Sequence, residues 1–299
     1  MSNLSKWKSI FNDMVDQFGL LQTREIMSAW SGLKVARIGL KGNKLPYLKE
    51  SLAQLNLHCQ IADEPVFIRR DIGKGGWSNK FEEREWVSRK NGDYLVYISN
   101  DLKSLQKAFR SELDGEEEEF GEKLGIPSCC IDFYSKNLEK AYEKQNDFVP
   151  LVLKNTKELH SFNFWNNYVA QYFGYSLLSF FPCSFNCEHS ATFAQNTFDL
   201  INSILPLQAS QIIHYQKQPI LYTEYRGIYL FEGAKCCNDT VYLEDSILHA
   251  TVPSSSKSLD KILNLNSITI NSKNKLSFVD NVGDKTMVKS ENIAFCTFK

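Results

Sequence analysis

The chain has 299 residues, 43% of them hydrophobic and 23% charged, with a formal net charge of −1. Such usage is that of an ordinary globular protein, long enough for one large core or two modest ones. The balanced charge gives no overall case for nucleic acid or an anionic membrane as partner, and no run approaches the ~18 apolar residues of a membrane-spanning helix.

The opening residues mix polar and apolar positions, with Lys6 and Lys8, and lack the continuous apolar stretch of a secretory leader. The cytoplasm is therefore the expected compartment. Trp7, Ile10, Phe11, Met14, Val15 and Phe18 recur at helical spacing, which predicts a helix over 6–18 stopped by Gly19. A second helix is expected over 23–30 with Thr23 as its cap, so that residues 1–45 form a helical opening region.

Beyond it, short apolar runs separated by glycine, proline and charge predict strands over 65–68 and 94–98. The basic, glycine-rich stretch 69–76 could wrap an anion with backbone amides. It lacks the spacing and closing Lys-Ser/Thr of a Walker loop, and an ordinary loop is the plainer reading. Asp101 caps a helix carrying Leu102, Leu105 and Phe109 on one face. The four carboxylates at 116–119 point in different directions on a helix, so they read as a solvated helical start. Gly125 suits the carboxyl-terminal cap of that helix.

A new helix follows Pro127 and Ser128, striped by Ile131, Tyr134, Leu138, Ala141 and Tyr142. Residues 146–156 read as a connection with a short extended piece, 162–172 as an aromatic helix closed by Gly174, and 175–181 as a buried strand. A helix is expected over 187–204. From about Pro219 the pattern turns to short strands: a hairpin around Arg226-Gly227, then runs at 241–243, 267–270 and 276–279, with a short helix near 259–263. The expected fold class is α/β in the broad α+β sense. An α/β core over 46–217 mixes helices and strands, and a smaller β-rich region covers 218–299.

The chemistry lies in the cysteines. Six of the eight fall in three clusters: Cys129 with Cys130, Cys183 with Cys187, and Cys236 with Cys237. In a reducing compartment clustered thiols more often bind metal or do redox work than form disulfides. Cys129, Cys130 and Cys187 are expected at helix amino termini, where the dipole lowers a thiol pKa, and Cys183 one turn away. These four are the candidate metal ligands. His189 is a candidate acid–base group beside them, although a lone histidine is more commonly a surface or capping residue. Thiolates suit zinc or iron–sulfur clusters. Neighbouring helical side chains diverge by about 100°, so Cys129 and Cys130 are not expected to reach one small ion together, which favours an iron–sulfur cluster over zinc. Cys236 and Cys237, beside Asn238 and Asp239, read equally well as thiols on a solvent-side turn. Cys59 and Cys296 read as small buried apolar residues.

The stretch Leu124-Gly125-Ile126-Pro127-Ser128-Cys129-Cys130, followed by Pro182-Cys183, Cys187 and Ser190, resembles a family of uncharacterised prokaryotic proteins. That family carries a Leu-Gly-Tyr-Pro-x-Cys-Cys motif and a later Pro-Cys-x-x-x-Cys-x-x-Ser motif. The likeness covers roughly residues 94–205 and departs at Ile126, where the family has an aromatic. It implies a shared thiol site and leaves the activity open.

Three readings of function stand together: an iron–sulfur or other metal-centred enzyme acting on a small-molecule or peptide substrate, a non-catalytic zinc or other metal-binding protein, and a metal-free thiol enzyme. Against them stands the plain alternative that the cysteines only pack.

Overall fold

The computed structural model of the chain describes residues 3–65, 67–68, 81–82, 93–143, 147–223, 226–252, 254–290 and 293–299. Its first helix, α1 (Asn3–Phe18), buries Ile10, Phe11, Met14 and Phe18, the face selected by helical spacing. Gly19, at φ 87°, turns the chain into α2 (Leu20–Trp30) and is itself the cap. Thr23 is therefore inside the helix, and its hydroxyl donates back to the Gly19 carbonyl.

Next come β1 (Ala36–Lys41), α3 (Leu45–Gln54), β2 (His58–Ile61), the short pair β3 (Phe67–Ile68) and β4 (Phe81–Glu82), and β5 (Asp93–Ser99). The strand expected over 65–68 is thus described at Phe67–Ile68, while the stretch 69–76 lies outside the described residues. Strands β1, β5 and β2 form an antiparallel sheet with β5 in the middle. Its period of two is plain on β5: Val96 and Ile98 join the main core, and Leu95 and Tyr97 meet Leu105 and Ala108 of α4 (Leu102–Asp114). The Asp101 carboxylate accepts from the Ser104 amide and caps α4. Gly115, left-handed, ends it before α5 (Glu117–Lys123).

α6 (Ser128–Glu143) starts where Pro127 predicts. α7 (Val149–Asn155) replaces the expected connection: Asp147 accepts from the Val149 amide and Pro150 presets the first turn. After β6 (Ser161–Phe162) the expected aromatic helix is instead two 3-10 turns, Phe164–Asn166 and Tyr168–Phe173. Each is opened by an asparagine, Asn163 accepting from the Trp165 amide and Asn167 from the Ala170 amide, so side chains capture donors that a continuous helix would use. Nor is 175–181 a strand. The Arg24 guanidinium donates to the carbonyls of Ser176 and Leu178, giving this buried irregular segment the partners a neighbouring strand would have supplied. α8 (Glu188–Ile204) and α9 (Pro206–Gln216) complete the helices before the β-rich part.

That part comprises β7 (Ile220–Thr223), β8 (Gly227–Glu232), β9 (Lys235–Cys237), β10 (Thr240–Tyr242), β11 (Ile247–Ala250), α10 (Lys257–Leu263), β12 (Leu265–Ser272), β13 (Lys275–Asp280), β14 (Lys285–Lys289) and β15 (Ile293–Phe298). One sheet runs β14-β13-β12-β10-β9 and the other β11-β8-β7-β15-β6, the last pair parallel. Alternation along β7 and β8 splits their side chains between two cores. Ile220, Tyr222, Ile228 and Leu230 pack with the helices, while Leu221, Tyr229 and Phe231 pack with Val241, Ile268, Leu276 and Phe278 of the facing sheet. The fold is α+β with a β-rich carboxyl-terminal region. Among the described residues no helix is long and apolar enough to cross a membrane.

Candidate metal centre

The first thiol pair is placed by the sharp turn between α5 and α6. The amides of Gly125 and Ile126 donate to the carbonyls of Glu122 and Gly121, closing α5. Gly125 sits at φ 70°, and a Cβ there would meet Lys34 and Phe193 side-chain atoms at 3.1 Å. The amides of Cys130 and Ile131 then both donate to the Pro127 carbonyl, starting α6 with Cys129 and Cys130 in its first turn.

The second pair is held by side chains that sequence pattern did not reveal. Asn166, fully buried, donates to the carbonyls of Phe185 and Cys187, and its own oxygen accepts from the Ser190 hydroxyl. Asn155 donates to the Cys183 carbonyl at 2.7 Å, and the Thr156 hydroxyl oxygen accepts from the Phe185 amide. Cys187 is the residue before the first turn of α8. Asn155 and Thr156 lie in the stretch expected to be a connection and Asn166 in the one expected to be an aromatic helix, and no motif in the sequence singles them out.

Across this frame the two pairs meet. The Cys129 and Cys130 sulfurs are 3.9 Å apart, and each lies close to Cys187, at 3.7 and 3.8 Å. With Cys183 included, all four sulfurs fall within 4.8 Å of one another. Adjacent Cys129 and Cys130 do converge, against the sequence expectation. Helical side chains lean towards the amino terminus, and in a first turn no preceding turn blocks them. Cys130 and Cys187 are buried and the other two half-buried, and all eight cysteines are free thiols.

Electrostatics differ from the expectation too. Helix position alone does not lower all these thiols. Cys187 is held far below the ordinary thiol range by hydrogen bonds with Cys130 and then Cys183, with Ser190 adding a further one. Cys130 is pushed far up by its hydrogen bonds with Cys183 and Cys187 and by burial. Burial, then the charge on Cys187, raises Cys129. Cys183 gains from its hydrogen bond with Cys130, yet the bond with Cys187 and burial leave it pushed up to about 12. Sulfurs this close oppose one another's ionisation, and a bound cation would favour the thiolate form of all four.

His189 is exposed in the first turn of α8 and is not in the convergent group. Cys236 and Cys237 are exposed on β9, away from that group, Cys59 is half-buried on β2, and Cys296 is buried on β15 with its thiol raised by burial.

The segment leading to Cys183 is anchored from α2. Arg24 holds the Ser176 and Leu178 carbonyls and pairs with Glu25, and Lys34 bridges Glu25 and the Ser179 hydroxyl. Set against family models, curated proteins and solved structures, the chain matches none of them. The four thiols are compatible with metal binding, and their chemistry has to be read from their own geometry.

Proposed function

We propose that Cys129, Cys130, Cys183 and Cys187 hold a single tetrahedral metal ion, zinc, and that the protein is a metal-binding protein in which this ion fixes the fold. The observation that carries the reading is the 3.7–3.9 Å spacing of the Cys129, Cys130 and Cys187 sulfurs, with Cys183 bringing all four within 4.8 Å. Bonds of about 2.3 Å from one tetrahedral zinc to sulfur set the ligands about 3.8 Å apart. An iron–sulfur cluster, favoured by sequence spacing alone, divides its cysteines among separate irons, at most two on each in a two-iron or larger cluster, so three sulfurs mutually one tetrahedron edge apart do not suit it.

Four protein thiolates leave a tetrahedral ion no open position, which is the pattern of a structural site rather than one that polarises a substrate. Bound there, zinc would supply the positive charge that the sulfurs lack and would join α6 to the loop before α8. Joining segments more than fifty residues apart removes chain entropy from the unfolded state. The Cys183 amide donating to the Cys130 sulfur supports the same reading, since such second-shell bonds tune thiolate ligands. The cytoplasm fits this reading, because thiols this close stay available to metal where disulfides are reduced.

The test is elemental and acid-labile sulfide analysis of protein purified without oxygen. The expected result is one zinc per chain, no sulfide and no visible charge-transfer absorbance. Iron with stoichiometric sulfide would restore the cluster reading; a metal-free protein with a fast-reacting thiol would support the thiol-enzyme one.

A further inference from the structure

A cavity of about 500 Å³ lies between α2, β1 and the helices α4 to α6, with Cys130 in its wall. Its volume is that of a small-molecule site. Leu21, Ile38, Phe120, Ile126, Ile131 and Phe180 give it apolar walls.

The charged groups of the lining are engaged within and solvated outside. Arg24 donates to Glu25 and to the carbonyls of Ser176 and Leu178. The other oxygen of Glu25 accepts from Lys34, which stands outside the lining. Arg37 and Glu112 face each other in a two-pronged pair, and the Tyr97 hydroxyl donates to the same carboxylate. Glu117, in the first turn of α5, is exposed, so water answers its charge. An ion moving in among these walls would give up its hydration without gaining a free counter-charge.

Two polar groups are left over. Gln22 on α2 and Gln171 in the second 3-10 turn are half-buried and line the cavity, and their side-chain amides have no hydrogen-bond partner among the described residues. A glutamine amide both donates and accepts and carries no charge. It therefore matches a head group of the same kind.

From the engaged ions, the spare amides and the apolar walls we infer that this cavity binds a small uncharged amphipathic molecule. Its amide or hydroxyl head bonds to Gln22 and Gln171, and its aliphatic or aromatic body packs on Phe120, Ile126 and Phe180. The inference does not depend on which metal the thiols hold.

Calorimetric titration of the full metal-loaded chain at neutral pH with hexanamide, octanamide and phenylacetamide tests it, each beside the carboxylate and the ammonium of the same skeleton. The amides are expected to bind at least about tenfold more tightly than either ion and than acetamide. Ser135 is exposed where it lines the cavity, so Ser135→Trp obstructs access with the ion pairs intact. It is expected to weaken amide binding by at least about tenfold while zinc content and melting temperature stay unchanged. Gln22→Leu and Gln171→Leu combined should weaken amide binding by at least about fivefold through the lost hydrogen bonds. Binding of an ion as tight as that of its amide, no binding by any amide of the series, or amide binding untouched by Ser135→Trp or by the double glutamine variant each overturns the inference. Loss of zinc from the native protein would instead count against the metal reading alone.

Discussion

The backbone amide of Cys183 donates to the sulfur of Cys130 at 3.3 Å, joining positions 53 residues apart in the chain. Each thiol pair therefore helps to shape the other before any ligand enters, and the site is a joint between segments rather than a motif on one element.

Replacing Cys130 by serine puts a shorter, harder ligand at the most buried corner. The variant is expected to lose the metal and more than about 4 kcal/mol of stability, a loss large for a single substitution. Cys296→Ala removes a buried thiol that takes no part in the cluster and should keep full metal content. Metal analysis with urea unfolding of both proteins checks the pair.

Asn166→Ala removes the side-chain donor of the Phe185 carbonyl and one partner each of the Cys187 carbonyl and the Ser190 hydroxyl, which keep the Ala191 amide and each other. A cost of about 1–3 kcal/mol is expected from these lost bonds. Metal should still bind, with affinity lowered about 10–100-fold as for a lost second-shell bond. Competition with a chromogenic chelator measures that change separately from unfolding.

Glu25 governs a pH dependence. Burial raises its carboxyl, but the charges of Lys34 and Arg24 outweigh burial and hold it below the ordinary value of 4.5. A carboxyl depressed in the folded state stabilises fully above its unfolded value and loses that contribution as pH falls through the folded one. Glu25→Gln strands two buried cations and should cost about 3–5 kcal/mol at neutral pH. The gap between variant and native protein should narrow as pH drops below 4.5. Urea titrations across that range check it, and a gap constant with pH would show that the carboxylate charge contributes nothing.

Gly125→Ala forces a side chain into a left-handed residue whose Cβ has Lys34 and Phe193 atoms at 3.1 Å. The expected cost is more than about 1 kcal/mol, read as a lower melting temperature. Because the α5–α6 turn aims Cys129 and Cys130, slower metal uptake by stopped flow should accompany it.

Much of the site was legible because its signals are local. Proline before Ser128, glycine at 125 and paired thiols are short-range features, and they marked both helix starts and all four convergent thiols. The failures came where distant groups decide. The apolar run at 175–181 looks like a strand until Arg24, far upstream, supplies its carbonyls with donors. The stretch at 162–172 has helical spacing, but Asn163 and Asn167 divert its amides into short turns. Thiol acidity was misjudged for a similar reason: a helix dipole is visible in sequence, whereas three neighbouring sulfurs are visible only in space. The convergence of Cys129 with Cys130 likewise depends on their standing in a first turn.

Phe185, between the two thiols of the second pair, packs against Phe298 of β15 and Phe162 of β6, with ring centres 5.8 and 4.9 Å away. Phe162 precedes the second thiol pair in sequence and Phe298 follows it, so the ring stack beneath Cys183 and Cys187 is complete only when β15 is docked between β7 and β6. Undocking of β15 would therefore loosen the second thiol pair while leaving the first untouched, so the integrity of that sheet and the position of two of the four sulfurs are tied together.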